Sequence, residues 1–152
     1  MIARAVLVAA ALAVVPLLAA CDANTQTPDT CPPSDAVVTV EDLSVGTGQA
    51  ASPTSTVEVR YIGRRASDGV VFDSSGTGTR TFSLTGVITG FRQGIGGRAA
   101  SGDTPAIAPM RLNGARRRIS VPTLYGYWTQ PRGELLPACT DLVFDVELID
   151  LP

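Results

Sequence analysis

The chain has 152 residues, a formal net charge of −2, and 45% hydrophobic against 17% charged residues. That is single-domain size with apolar sequence for one modest core, and a near-neutral balance without a long basic run excludes an electrostatic nucleic-acid binder. All 12 cationic residues are arginine and there is no histidine, which removes the usual general base and metal ligand and, with them, Ser/His/Asp and Cys/His catalysis.

In chain order, Arg4 gives a positive start and 5–20 is an apolar, Ala-rich run, short for a transmembrane helix. Leu18-Ala19-Ala20 then approaches Cys21 through small residues. The arrangement resembles the lipobox of bacterial lipoproteins, in which the cysteine is alkylated with diacylglycerol, the peptide is cut before it, and the new amine is often acylated. Two or more acyl chains anchor stably. The competing reading is an ordinary signal peptide with a coincidental cysteine. The expected organisation is a signal at 1–20, lipid attachment at Cys21, a flexible tether over 21–35 rich in Pro, Thr, Asp and Asn, and one domain over 36–152. Its expected place is the outer face of the bacterial cytoplasmic membrane.

Within the domain, Val57, Val59 and Tyr61 alternate with Glu58, Arg60 and Ile62, which is strand periodicity. Ser67-Asp68-Gly69 is a tight-turn tripeptide, and 74–79 is a polar loop containing glycine. The segment 87–95 is the one good site for a short helix, stopped by the glycines after it. The low-hydrophobicity run 96–109 reads as a surface insertion. Arg117, Ile119 and Val121 alternate with Arg116, Arg118 and Ser120 to give a second strand. Here solvated arginine on one side is the reading, not a nucleic-acid patch, because the flanking chain is not basic. Leu142, Phe144, Val146 and Leu148 alternate with Val143, Asp145, Glu147 and Ile149 to give a third. The class is α+β, a mostly antiparallel sheet with one helix laid across it. With Cys21 assigned to lipid, Cys31 and Cys139 are a lone pair in an oxidising compartment. They stand either as a disulfide or as two free thiols.

Four fragments, taken together, carry the functional signal. They are Val57-Glu58-Val59-Arg60-Tyr61-Ile62-Gly63, Asp68-Gly69-Val70-Val71-Phe72-Asp73-Ser74-Ser75, Gly86-Val87-Ile88-Thr89-Gly90-Phe91 and Leu142-Val143-Phe144-Asp145-Val146-Glu147-Leu148. In this order and at these separations the series resembles the FKBP-type peptidyl-prolyl isomerases over about 38–151. The resemblance implies a half-wrapped antiparallel sheet of five or six strands, a short helix across its concave face and an apolar pocket between them. It places Tyr61, Phe72, Asp73, Val87, Ile88 and Phe144 in that pocket, with Phe91 where many members have Trp on the floor. An ungapped match over 121–137 makes Tyr127 the pocket hydroxyl and lets Leu136 close the mouth; a gapped match makes it Tyr125. The ungapped frame sets Trp128 where Gly is usual, so a different loop backbone is expected there. Phe82 matches a core aromatic next to the pocket, whereas a neighbouring pocket aromatic falls on Arg80 or is lost in a shortened turn.

The implied reaction is rotation about an Xaa-Pro amide, which requires no acid, base, metal or cofactor. The implied partners are proline-containing unfolded or exported polypeptides, with the membrane reached only through the lipid on Cys21. Two other classes remain open at this level. One is a weakly active or non-catalytic binding module for proline-containing clients, favoured by Phe91, Trp128 and the short loop near Arg80. The other is a structural lipoprotein of the envelope, for which only the 96–109 insertion speaks.

Overall fold

A computed structural model describes residues 30–32 and 34–152. The expected export signal, Cys21 and the expected tether up to residue 29 lie outside the described residues. Six strands, β1 (Thr39–Ser44), β2 (Thr56–Arg65), β3 (Val71–Ser74), β4 (Arg80–Ser83), β5 (Arg116–Val121) and β6 (Leu142–Asp150), form one antiparallel sheet. The order is β1-β5-β6-β2-β3, and β4 pairs with the other end of β2. The three strands expected from alternation are the central ones. Val57, Val59 and Tyr61 of β2, Ile119 and Val121 of β5, and Leu142, Phe144, Val146 and Leu148 of β6 are all buried on one face. A period of two sends their neighbours outward. On that outer face Asp145 pairs with Arg118 and Arg64 at 2.8 and 2.6 Å, and Glu147 with Arg60 at 3.2 Å. Such exposed pairs add little stability each.

Helix α1 (Thr89–Gly96) lies across the inner face. It begins two residues later than the expected 87–95, because Val87 and Ile88 keep extended backbones with ψ of 169° and 147°. Its sequence, TGFRQGIG, contains three glycines, each unfavourable to an isolated helix by about 1 kcal/mol relative to alanine. Packing therefore holds it. Phe91 and Ile95 enter the core, while Gly90 and Gly94 face β5 without side chains. A Cβ at Gly90 would stand 2.7 Å from Val121 Cγ2, and one at Gly94 would stand 2.5 Å from Ile119 Cδ1. The helix thus rests on β5 at a separation that only glycine allows.

Arginine is not confined to the outer face. Arg117 is 3% exposed; its Nε donates to Asp42 of β1 at 2.6 Å, and its Nη1 donates to the Gly94 and Ala108 carbonyls, each at 2.7 Å. One guanidinium therefore joins an edge strand, the carboxyl end of α1 and the segment after it, with its charge favourably set against the helix dipole. That segment folds into a small hairpin. Arg98 and Ile107 exchange backbone hydrogen bonds of 2.9 and 2.8 Å, and Ser101 and Thr104 exchange two of 3.0 Å. Ile107 buries its side chain in the core, so the run 96–109 is exposed at its tip and anchored at its base. A disulfide joins Cys31 to Cys139 across 108 residues, with Cα atoms 5.2 Å apart.

The glycine seat gives a direct test. Gly90→Ala should lower unfolding free energy by about 1–3 kcal/mol in urea denaturation, because overpacking against a stiff valine outweighs the gain in helix propensity. Gly78→Ala, where the nearest atom to an added Cβ is 4.0 Å away, should leave stability within about 0.5 kcal/mol.

Candidate active site

The inner face opens into a cavity of about 640 Å³ beside the amino end of α1. Each neighbouring element contributes for a local reason. Strand periodicity turns Tyr61 and Phe144 inward from β2 and β6, facing strands on which Tyr61 pairs with Val146 and Gly63 with Phe144. Gly63 leaves room where a Cβ would lie 2.8 Å from Phe72 and 2.9 Å from Phe144. The extended Val87-Ile88 pair presents both side chains to the cavity before the helix starts, and Phe91 follows one turn later.

The nine residues expected in the pocket, Tyr61, Phe72, Asp73, Val87, Ile88, Phe91, Tyr127, Leu136 and Phe144, all line this cavity, and so does Phe82, the core aromatic expected beside it. Gly86 and Arg132 line it as well, and neither was signalled by periodicity or by turn chemistry. Tyr125 is absent from the lining; it packs half-buried against the core. Leu136 is 1% exposed, so it lines the cavity from beneath, and the exposed tip of that loop is Leu135 at 54%. Phe82 is a pocket aromatic, whereas Arg80 points to the rim, 4.0 Å from Asp73 Oδ1.

The aromatic rings form one connected set. Phe91 is its hub, with ring centroids 5.1 Å from Phe144, 5.9 Å from Phe82 and 6.0 Å from Tyr61, all edge to face. Phe72 meets Phe144 at 5.7 Å and Tyr61 meets Phe82 at 5.6 Å in the same manner. Edge-to-face packing sets the positive rim of one ring against the negative face of the next, which fixes each ring's orientation.

Polar groups are few and have distinct positions. The Tyr61 hydroxyl donates to Asp73 Oδ2 at 2.6 Å, and the other carboxylate oxygen accepts from the Ser74 N–H at 2.8 Å. Asp73 is thereby held at the rim. The Tyr127 hydroxyl and the Ile88 N–H make no hydrogen bond to another described residue, although the Ile88 carbonyl accepts from Arg92 at 3.1 Å. Both are donors left for a guest in the cavity. Among the described residues no three His, Cys, Asp or Glu side chains gather to hold a metal ion.

Tyr127 is carried by a loop pinned at several points. The Thr123 N–H donates to Asp141 at 2.6 Å, the Trp128 N–H to the Thr123 carbonyl at 3.0 Å, and the Cys139 N–H to the Trp128 carbonyl at 2.9 Å. The disulfide to Cys31 thus bears on this loop through Cys139. Trp128 has φ of 52°, the left-handed conformation that glycine adopts most readily. The loop backbone keeps a glycine-like turn with a tryptophan in it, at a cost of about 1–2 kcal/mol.

Burial, then the hydrogen bond to Asp73 and its charge, push the Tyr61 phenol above the ordinary tyrosine range, with Arg80 partly offsetting. Burial also raises Tyr127, opposed by Arg132. A phenol raised above its unfolded value of about 10 contributes stability that is complete below that pH and is lost as the pH climbs through the folded value. Unfolding free energy should therefore fall between about pH 9 and pH 11 in urea titrations, and fall less steeply in Tyr61→Phe. Equal slopes for parent and variant would contradict the assignment.

Against this geometry, residues 47–149 match the FKBP-type peptidyl-prolyl cis-trans isomerase family. The chain is 35% identical over 119 residues to a probable FK506-binding protein of Corynebacterium glutamicum, covering 77% of this chain and 87% of that protein. It is 38% identical over 114 residues to a peptidyl-prolyl cis-trans isomerase of Arabidopsis thaliana, with 74% of this chain covered and 22% of the relative. Several other curated relatives are likewise spanned over only about a fifth to a quarter of their length. Among solved structures, a peptidyl-prolyl cis-trans isomerase from Pseudomonas syringae pv. tomato superimposes with a TM-score of 0.58 at 33% identity, over 75% of this chain and 74% of that one. By fold, by sequence and by the residues that line its cavity, the chain belongs to the FKBP-type peptidyl-prolyl cis-trans isomerase family.

Proposed function

We propose that this protein catalyses cis-trans isomerisation of Xaa-Pro bonds in exported or cell-envelope polypeptides, held at the outer face of the cytoplasmic membrane by lipid on Cys21. The observation that carries the activity is an aromatic cavity with two donors, Tyr127 hydroxyl and Ile88 N–H, left without partners among the described residues. The barrier to rotation, about 18–20 kcal/mol, comes from amide resonance, which places partial charge on oxygen and nitrogen. Twisting the bond removes that charge separation. A dry aromatic surface therefore favours the twisted amide over the planar one relative to water, which is binding energy expressed at the transition state.

In this mechanism the proline ring lies against Phe91, Tyr61 and Phe144, with Phe72, Phe82 and Val87 enclosing it and Leu136 beneath. The Tyr127 hydroxyl and the Ile88 N–H hold substrate carbonyls, so one side of the bond is fixed while the other turns. Asp73, itself held by Tyr61, orients the polar rim. Uncatalysed isomerisation takes tens of seconds or longer, slow enough to limit the folding of an exported chain. The lipid anchor is supported by the sequence before Cys21. An oxidising location is supported by the Cys31–Cys139 disulfide, a bond that persists outside the reducing cytosol.

A protease-free isomerisation assay on an Ala-Leu-Pro-Phe peptide tests the activity. The parent should accelerate exchange above background. Phe72→Ala should lower kcat/KM by about tenfold or more, equivalent to about 1.4 kcal/mol. Tyr127→Phe, which deletes one hydrogen bond, should lower it by about two- to tenfold. Binding of the peptide without acceleration would identify a client-binding module instead.

A further inference from the structure

Arg132 was not among the residues expected in the pocket, yet it lines the cavity and sets its guanidinium carbon 4.9 Å from the centre of the Tyr127 ring. Its backbone is fixed by donation from its N–H to the Leu136 carbonyl at 2.9 Å, which closes the turn through Gly133. The side chain is exposed and makes no ion pair with a described residue. The rim's other charges are differently placed. Asp73 accepts from the Tyr61 hydroxyl and the Ser74 N–H and has Arg80 4.0 Å from its Oδ1, so its carboxylate already has partners. Among the described residues that line the cavity, Arg132 is the charged side chain without an ion-pair or hydrogen-bond partner. It stands over the ring whose hydroxyl is offered to a substrate carbonyl.

We propose that Arg132 is a specificity-determining residue that selects an acidic side chain, Asp or Glu, immediately before the isomerised proline. The inference rests on the isomerase reading and on Tyr127 holding the carbonyl of that preceding residue. A carboxylate one side chain away from that carbonyl is within reach of a guanidinium stacked on the same ring, and guanidinium is the cation best suited to a two-point hydrogen bond with carboxylate. Lying over Tyr127 also limits the positions Arg132 samples, which reduces the entropy lost on pairing.

The test compares Ala-Glu-Pro-Phe with Ala-Gln-Pro-Phe, which differ in charge and hardly in shape. In the parent protein the glutamate peptide should show a kcat/KM about two- to fivefold higher at low salt, the range for a partly exposed ion pair. The advantage should shrink toward one in about 1 M salt, where charges are screened within about 3 Å. Arg132→Gln should abolish the ratio, and Arg132→Lys should retain part of it. A ratio of one in the parent, or one that survives Arg132→Gln, overturns the proposal. The same ratio is read from dissociation constants by fluorescence anisotropy of labelled peptides. If neither peptide is turned over but the glutamate peptide binds tighter through Arg132, the selectivity stands and the isomerase reading falls; equal dissociation constants overturn the selectivity.

Discussion

Gly90 and Gly94 set the backbone of helix α1 directly on the Val121 and Ile119 side chains of β5, and the geometry of the site follows from that contact. A helix standing even one methyl group further from the sheet would lift Phe91 away from Tyr61 and Phe144. The edge-to-face set would then open and water would enter between the rings. The helix has little reason of its own to form, with three glycines in eight residues. Its place is fixed from both ends, by Phe91 and Ile95 in the core and by buried Arg117 on the Gly94 carbonyl. Local helix strength has been given up for close approach, and close approach makes the cavity.

The polar groups around the cavity are positioned by the segments on either side of it. Helix α1 begins at Thr89, so the Ile88 N–H stands just ahead of it beside the cavity and donates to no other described residue. On the opposite side, Tyr127 is carried on a loop held by Asp141, by the Trp128 backbone and, through Cys139, by the disulfide. The charged side chains Arg80, Asp73 and Arg132 stand at the rim and leave the floor of the cavity aromatic. An apolar interior with a charged rim suits a reaction in which the bond to be rotated loses polarity at its transition state.

Much of this was legible in the sequence, for definite reasons. Strands β2, β5 and β6 each bury one face, so alternation marks them. By contrast β1, with sequence TVEDLS, is an edge strand in which only Val40 and Ser44 are even half-buried, and β3 and β4 are four residues each. No period can be read from so little. Apolar spacing places the helix start two residues early, because it cannot tell an extended Val-Ile pair that faces a pocket from the first turn of a helix. Arg117 sits among arginines that look alike in sequence; only the crossing of α1 over β5 makes this one buried. The ten pocket residues rested on ordered fragments resembling a family, which fix position along the chain but not rim chemistry. Arg132, in a turn between Pro131 and Gly133, has no periodic or spacing signal at all. Trp128, where the resemblance sets Gly, takes a left-handed backbone held by hydrogen bonds on either side.

The central claim is that this cavity rotates a prolyl bond by desolvation and orientation, with no proton in flight. The most direct measurement is exchange NMR of an Ala-Leu-Pro-Phe peptide with a small amount of the protein, taken from about pH 5 to pH 9 in H2O and in D2O. Acceleration over the uncatalysed rate should be flat across this range, with a solvent isotope ratio near one. A bell-shaped pH profile, an isotope ratio of about two or more, or no acceleration would contradict it.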